Sequence, residues 1–447
     1  MQSIKGWLEL HGIEEVECLI PDMTGNARGK LIPARKFVTQ ESRLPEAILL
    51  QGVNGVWTEE HEDLFRNAID CDMLLQPDPA TVRVVPWAKQ GEPTAQIIHD
   101  CYTRNGELHP LAVRSVLKRV LDLYEKEGWQ PMVAPEAEFY FVEQNTDPDL
   151  ELKPPIGRNG RIERSGQSYS VDAMNQYEDV IDDMYAYCDA MNLDVDTLIH
   201  EDGAAQFEVN FVHGDPLDLA DQVFIFKRTV REAALKHKMY ATFMAKPMRT
   251  EPGSAMHIHQ SIVDKKTGKN IFVDDEGKET HFFRHYIGGL QKYTPSAIAF
   301  YAPNVNSYRR FTKEIAAPVN LYWGYDNRTT GIRIPTSSPG DTRIENRFPG
   351  MDANPYLALA ASLACGYLGM KNGIQPDDPY KDNAYDKDVA VARSLLEALN
   401  WLRESDEMAT VMGDRFIRGY CAVKETEYKS FNEVISSWER EYLLLNV

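Results

Sequence analysis

Glu136-Ala137-Glu138-Phe139-Tyr140-Phe141 alternates between polar and apolar side chains without a break. Successive side chains of a strand point to opposite faces, so Glu136 and Glu138 share one face while Ala137, Phe139 and Phe141 share the other. Three further segments follow the same rule. Gln206-Phe-Glu208-Val-Asn210 sets polar residues against Phe207, Val209 and Phe211. Met256-His257-Ile-His259-Gln-Ser261 puts both histidines and the serine together, and Arg343-Ile-Glu345-Asn-Arg347 places two arginines and a glutamate on one face. A single segment of this kind is what any half-buried strand shows. Four of them, all rich in groups that ligate hard cations or grip phosphates, predict a sheet whose polar faces converge on a site.

Convergence has a chemical consequence. Two like charges about 4 Å apart repel by roughly 4 kcal/mol at an effective dielectric of 20. Gathered carboxylates therefore need protons or divalent cations, and an oxygen-rich set with one imidazole suits Mg²⁺ or Mn²⁺ better than Zn²⁺. Arg309, Arg310, Arg328, Arg333, Arg343 and Arg347 fall within 39 residues in which Lys313 is the only lysine. The planar arginine fork holds carboxylate or phosphate oxygens in two directions, which lysine cannot do. Cations and arginines around a dry cleft are what phosphoryl transfer requires, since its catalysis is mostly positioning and charge neutralisation. With no GxxxxGK[ST] loop and no GxGxxG turn after a strand, the nucleotide is not expected on a P-loop or Rossmann site.

The chain has 447 residues, 43% of them hydrophobic and 26% charged. That length predicts two domains. Residues 1 to 105 read as short strands and turns: Val16–Ile20 and Lys30–Ile32 flank the turn-rich loop Pro21–Gly29, and further extended runs are expected at Thr81–Val85 and Thr94–His99. After Asn105-Gly106, Pro110 opens a helical stripe of Val113, Val116, Leu117, Val120 and Leu121. Helices are also expected over 172–191, from Asp215-Pro216 to about His237, after Asn354-Pro355, and through much of 375–447. The net charge of −20, with no basic run against it, argues against nucleic acid or an anionic membrane as partner. Six scattered cysteines without a CxxC pair fit reduced thiols in the cytoplasm. No signal peptide is expected from MQSIKGWLEL, and the apolar stretch Tyr356–Met370 is too short to span a bilayer.

In these same segments the sequence resembles the glutamine synthetase family over nearly its whole length. The motifs run in family order: Pro135-Glu-Ala-Glu138, His200-Glu-Asp-Gly-Ala-Ala-Gln-Phe-Glu208, Lys246-Pro-Met248, Gly253-Ser-Ala-Met-His-Ile-His259, Asn306-Ser-Tyr-Arg-Arg310, Asn327-Arg328 through Arg333-Ile-Pro335, and Arg343-Ile-Glu-Asn-Arg347. The resemblance implies an α+β fold: an N-terminal β-grasp-like domain (1–105), then a catalytic domain (106–447) with a curved antiparallel sheet and flanking helices. It also implies a homo-oligomer, a dodecamer with active sites shared between subunits. Carried over motif by motif, Glu138, Glu201 and Glu208 would bind one metal and Glu136, His257 and Glu345 the second. Gly253, Arg310 and Arg347, with His257, would hold glutamate. His259, Ser261, Arg328, Arg333 and Arg343 would meet ATP, and Arg328, Glu345 and Arg347 would act in catalysis. The implied reaction phosphorylates the glutamate side chain with ATP, and an amine then attacks the acyl phosphate.

Two departures bear on the amine. Ammonia-using members carry an aspartate in an Asp-Gly-Ser-Ser stretch, where this chain has Gln51-Gly-Val-Asn54, and a glutamate before Ala-Pro, where it has Ala316-Ala317-Pro318. Loss of both acids weakens a small-cation site and opens space for a bulkier amine. His213-Gly-Asp-Pro-Leu, Gln222-Val-Phe-Ile-Phe-Lys and Ser254-Ala-Met-His-Ile-His-Gln are most similar to the γ-glutamylpolyamine synthetase branch, of the glutamate–putrescine ligase type. Gln51, Trp57 and Ala316 are the candidates for the amine pocket, and the run Glu59-Glu60-His61-Glu62-Asp63 is a hypothetical seat for a polyamine's distant ammonium. Its neutralisation should raise the KM for putrescine; an unchanged value would remove it. Ammonia, ethanolamine, a monoamine or an aniline remain the alternative acceptors.

Overall fold

The computed structural model describes residues 3–58, 70–88, 91–312 and 317–447. Two sheets organise them. The first holds β1 (Glu15–Pro21), β2 (Ala27–Pro33), β3 (Ser42–Pro45), β4 (Asp72–Pro77), β5 (Arg83–Val84) and β6 (Thr94–Tyr102) in the order β2-β1-β6-β4-β3, with β5 also on β6. β1 and β6 run parallel at its centre and the other pairs are antiparallel. The β1–β2 hairpin forms where the turn residues predict it. Asp22 is fully buried there; its carboxylate accepts the backbone N–H groups of Thr24 and Asn26, both at 2.9 Å, and the Arg28 guanidinium at 2.7 Å.

The second sheet holds β7 (Trp129–Glu143), β8 (Val195–His200), β9 (Gln206–Phe211), β10 (Met239–Thr242), β11 (Ile258–Asp264), β12 (Trp323–Tyr325), β13 (Ile332–Ile334) and β14 (Ile344–Asn346). Its order is β12-β13-β14-β11-β7-β9-β8, with β10 also on β7. It departs from the expected antiparallel sheet at one place, the parallel pair β12–β13.

Helices cover the apolar faces. Asn354 caps the helix Pro355–Asn372 by accepting from the N–H groups of Tyr356 and Leu357, and Gly373 closes it in the left-handed conformation that suits glycine. Asp215 caps Pro216–Lys236 in the same way. The helix opened by the Val113 stripe spans Val113–Lys126 and starts three residues after Pro110. The helix expected over 172–191 is broken: Val171–Met174 and Glu178–Ala190 are separated by a 3-10 turn at Tyr177, whose buried phenol reaches the Pro155 carbonyl at 3.3 Å. Of the run Thr81–Val85, Thr81 ends the 3-10 turn Pro79–Thr81 and only Arg83–Val84 join the sheet.

The helices Ile4–Leu10 and His281–Tyr301, like the single turn Ala34–Phe37, have no counterpart in the sequence reading. Gly288, Gly289 and Pro295 make the second a poor helix by propensity. Packing overrides this, because Gly289 and Gly369 let His281–Tyr301 and Pro355–Asn372 approach so closely that a Cβ on Gly289 would sit 2.6 Å from Gly369. No helix among the described residues is long and apolar enough to cross a membrane.

A buried arginine bolts the first sheet to the helical layer. Arg114, on the helix after β6, is 2% exposed and bonds three carboxylates: Asp221 through two parallel contacts (2.9 and 2.6 Å), Asp100 of β6 (2.6 Å) and Asp78 (2.8 Å). The Tyr356 hydroxyl donates to Asp221 at 2.6 Å.

Candidate active site

The four alternating segments lie side by side, in the order β14-β11-β7-β9. Register then decides which polar groups meet. Glu138 stands directly opposite Glu208, and Glu136 opposite Asn210, across β7–β9. His259 pairs with Glu345 across β11–β14. His257 sits just before β11, with its carbonyl accepting the Glu136 N–H at 2.9 Å. Strands distant in sequence thus bring their polar faces into one cluster.

Two groups in it could hold a cation, each with ligand atoms within 4.8 Å of one another: Glu136, His257 and Glu345, and Glu138, Glu208 and His257. The first is the triad that the resemblance implies. The second shares His257 and does not include Glu201, which influences both Glu138 and Glu208 through its charge. Glu136 accepts from both imidazoles, His259 at 2.8 Å and His257 at 3.1 Å. Glu345 is clamped by Arg333 and Arg347, both at 2.7 Å.

The electrostatics divide the five acids. Burial, then the charges of their neighbours, pushes Glu138 up to about 8 and Glu208 up to about 10; Glu201 is raised by burial too. Burial opposes ionisation of Glu136 and Glu345 as well, yet the two imidazoles hold Glu136 well below the usual range and Arg347 brings Glu345 down to about 2. Burial and the Arg347 charge lower His257 to about 4, so its ring is neutral and able to ligate. Carboxylates forced to keep protons at neutral pH, beside a neutral imidazole, fit a hard divalent cation that would displace those protons.

A cleft of about 860 Å³ opens on one side of the cluster, lined by Glu136, Asn210, His259, Ser261, Arg333 and Arg343 among others. Arg343 reaches His259 at 3.3 Å, and Arg333 is steadied by Asp326 at 2.7 Å, a partner that the alternation did not reveal. Arg310, outside the cleft lining, donates to the carbonyls of Phe348 (2.8 Å) and Arg347 (3.0 Å). Gly253 is packed so closely that a Cβ would lie 2.7 Å from the Arg310 side chain, and its carbonyl accepts from Gln206 at 3.0 Å. Gln206 in turn accepts the Tyr140 hydroxyl at 3.0 Å.

The matching family, glutamine synthetase catalytic domain, covers residues 110–443. The chain belongs to the glutamine synthetase family. Its members are ligases that use ATP and divalent metal. Curated relatives span the whole chain: γ-glutamylputrescine synthetase PuuA of Escherichia coli (strain K12), 33% identical over 100% of this chain and 95% of its own, and glutamate–isopropylamine ligase of a Pseudomonas species, 31% identical over 98% and 96%. Glutamine synthetase of Thermococcus kodakarensis is 31% identical over 93% and 89%. Among solved structures, ligand-free GmaS superposes with a TM-score of 0.82 at 28% identity, covering 100% of both chains. A GmaS–ADP complex gives 0.83 at 26% identity over 99% of each.

Other expected site residues lie apart from the cluster. Arg328 is exposed, with its charge felt at Glu201. Gln51 and Trp57 face each other across a small hairpin, where the Gln51 side-chain amide donates to the Gly55 carbonyl at 2.6 Å; neither lines the cleft. Ala316 and the acidic run Glu59–Asp63 fall outside the described residues.

Proposed function

We propose that this ligase joins the side-chain carboxyl of glutamate to an amine, putrescine or another polyamine foremost, through γ-glutamyl phosphate. One observation carries the reading: the carboxylate–imidazole cluster borders a cleft with Arg333 and Arg343, and its Glu345 is also held by Arg347, whose carbonyl accepts from Arg310 beside Gly253. A phosphoryl donor on one side and an amino acid on the other would meet at it.

The family motifs supply the roles. Glu136, Glu138, Glu201, Glu208, His257 and Glu345 would hold two divalent ions, which when bound supply positive charge to the phosphate oxygens. Arg343, Arg333, His259 and Ser261 would seat the nucleotide, and Arg328, at the exposed mouth, would swing onto the transferred phosphoryl group. Arg310 and Gly253 would orient glutamate. Arg347, braced on Glu345, would neutralise the developing charge at the side-chain carboxyl.

The amine is the finer part of the proposal. Two relatives carry names that specify putrescine and isopropylamine, and Gln51 and Ala316 stand where ammonia enzymes carry acids. Phosphate release at fixed glutamate and ATP, measured with putrescine, isopropylamine, ethanolamine, aniline and ammonium, tests it. Putrescine should give the highest kcat/KM; ammonium as the better acceptor would overturn the choice.

We also place a domain boundary near residue 105, because every strand of the first sheet precedes it and every strand of the second follows it. A cytoplasmic dodecamer with shared sites is the assembly we propose. Its support is apolar surface at the hairpin tip, where Val53, Val56 and Trp57 are exposed, and along the C-terminal residues Trp438, Leu444, Leu445 and Val447. Light scattering of the purified protein would show a mass near that of the single chain if this is wrong.

A further inference from the structure

We propose that Glu163 and Glu251 are positioning residues that hold Glu201 at the cation cluster. This deepens the ligase reading, on which the part of Glu201 as a ligand rests.

The Glu201 N–H donates to the Gln206 carbonyl at 2.9 Å, which extends the β8–β9 ladder by one pair. Residues opposite each other on antiparallel strands share a face. Glu201 therefore stands on the face of Gln206, and so of Glu208 two residues further along β9. The turn that follows adopts a shape its own residues do not favour. Ala205 has φ of 57°, in the left-handed region where a Cβ is strained. Ala204 and Ala205 are 1% and 0% exposed, so water does not satisfy their N–H groups.

Three consecutive N–H groups of this turn find side-chain acceptors instead. Gly203 donates to Gln206 at 3.0 Å, Ala204 to Glu251 at 2.9 Å, and Ala205 to Glu163 at 3.0 Å. Glu163 belongs to a segment that runs along the turn, where Gly166 N–H donates to the Asp202 carbonyl (2.7 Å) and Tyr169 N–H to the His200 carbonyl (2.8 Å). Its other oxygen is 3.0 Å from His200 Nε2, and His200 Nδ1 donates to the Glu201 carbonyl at 2.7 Å. Glu251 comes from a separate, well-anchored loop. The carbonyls of Glu251, Pro252 and Gly253 accept in turn from Lys246, from the Tyr140 hydroxyl (2.8 Å) and from Gln206 (3.0 Å). Neither acid is in the two ligand groups, so both act on the backbone and through it on Glu201. A strained turn persists only where its surroundings over-determine it, and two carboxylates from separate segments do that here. Removing either acceptor leaves a buried N–H unbonded, and the turn relaxes away from the place that Glu201 needs.

The test measures Mn²⁺ binding to the full-length protein, without ATP or glutamate, by electron paramagnetic resonance of the free ion. Glu251→Ala and Glu251→Gln both remove a negative charge, but only the alanine removes the acceptor oxygen; Glu163→Ala and Glu163→Gln form a second such pair. In each pair the alanine variant should bind Mn²⁺ about tenfold more weakly than the glutamine variant. The gap should vanish when Glu201→Gln is added, because the acids act through Glu201. Gaps below about twofold would overturn the proposal and leave the ligase reading standing. A gap that persists beside Glu201→Gln would overturn it too, by showing a general structural role. Wild-type binding of Mn²⁺ unaffected by Glu201→Gln would remove Glu201 from the ligands, and no Mn²⁺ binding to wild type would overturn the reading of the cluster itself. If an alanine variant does not fold, the serine variant at that position takes its place under the same criteria.

Discussion

Glu138 and Glu208 stand opposite each other as register partners on adjacent antiparallel strands, with ligand atoms within 4.8 Å. Among the described residues nothing cationic is bonded to them: Glu138 accepts the Ala255 N–H, at 2.7 Å, and Glu208 is raised by burial and by four neighbouring glutamates. Such a pair is costly when ionised and tolerable when protonated or when a divalent cation lies between.

Without metal, the folded protein holds protons on Glu138 and Glu208 that the unfolded chain has released above its ordinary carboxylate pKa. Stability therefore falls as pH rises from the ordinary carboxylate pKa of 4.5, the loss levelling off above about 8 for Glu138 and about 10 for Glu208. Mg²⁺ removes that penalty by expelling the protons. The melting-temperature gain from Mg²⁺ should be larger at about pH 9 than at about pH 6, and calorimetry in buffers of different ionisation enthalpy should show proton release on binding. A pH-independent gain with no proton release would contradict this picture.

Glu208→Gln separates charge from shape. The amide keeps the volume but carries no charge beside Glu138, so the metal-free variant should melt higher than wild type at about pH 9. It should also lose most of the Mg²⁺-induced gain and at least about a hundredfold in kcat. A variant that melts like wild type and responds equally to Mg²⁺ would mean that the carboxylate does not take part in cation binding.

Much of this cluster was legible because two signals coincided in each segment, a period of two and side chains suited to cations or phosphate. Strand order was not legible. Glu136 meets Asn210, and His259 meets Glu345, through pairings that cross scores of residues, and register is decided by packing rather than by local pattern. The helix His281–Tyr301 was hidden for a related reason, because its glycines serve a neighbouring helix that propensity cannot see. Glu201 entered through resemblance alone, and it is not gathered into the two ligand groups.

Arg114 predicts a stability effect far from the chemistry. Arg114→Met would leave Asp78, Asp100 and Asp221 without their shared cation, and breaking a buried pair of this kind costs about 3–5 kcal/mol. Urea unfolding should show that loss near neutral pH. The deficit should narrow as pH falls through the carboxylate range and the stranded acids take up protons. A loss below about 1 kcal/mol would mean that the network relaxes without cost.

The hairpin bearing Gln51 and Trp57 predicts an effect confined to the amine. It is closed by the Gly52 N–H to Val56 carbonyl bond at 2.9 Å and held to the helix Asp414–Asn432 by the Val53 N–H, which donates to Glu427 at 2.8 Å. The other Glu427 oxygen accepts from the buried Lys424 at 2.8 Å. Glu427→Gln keeps one acceptor oxygen for two donors and removes the charge facing Lys424, so the anchor should loosen while the helix stays folded. If the hairpin helps to form the amine pocket, the KM for the amine should rise about three- to tenfold, with KM for glutamate and ATP unchanged. Equal rises in all three would assign Glu427 a general structural role, and no change would place the hairpin outside the amine pocket.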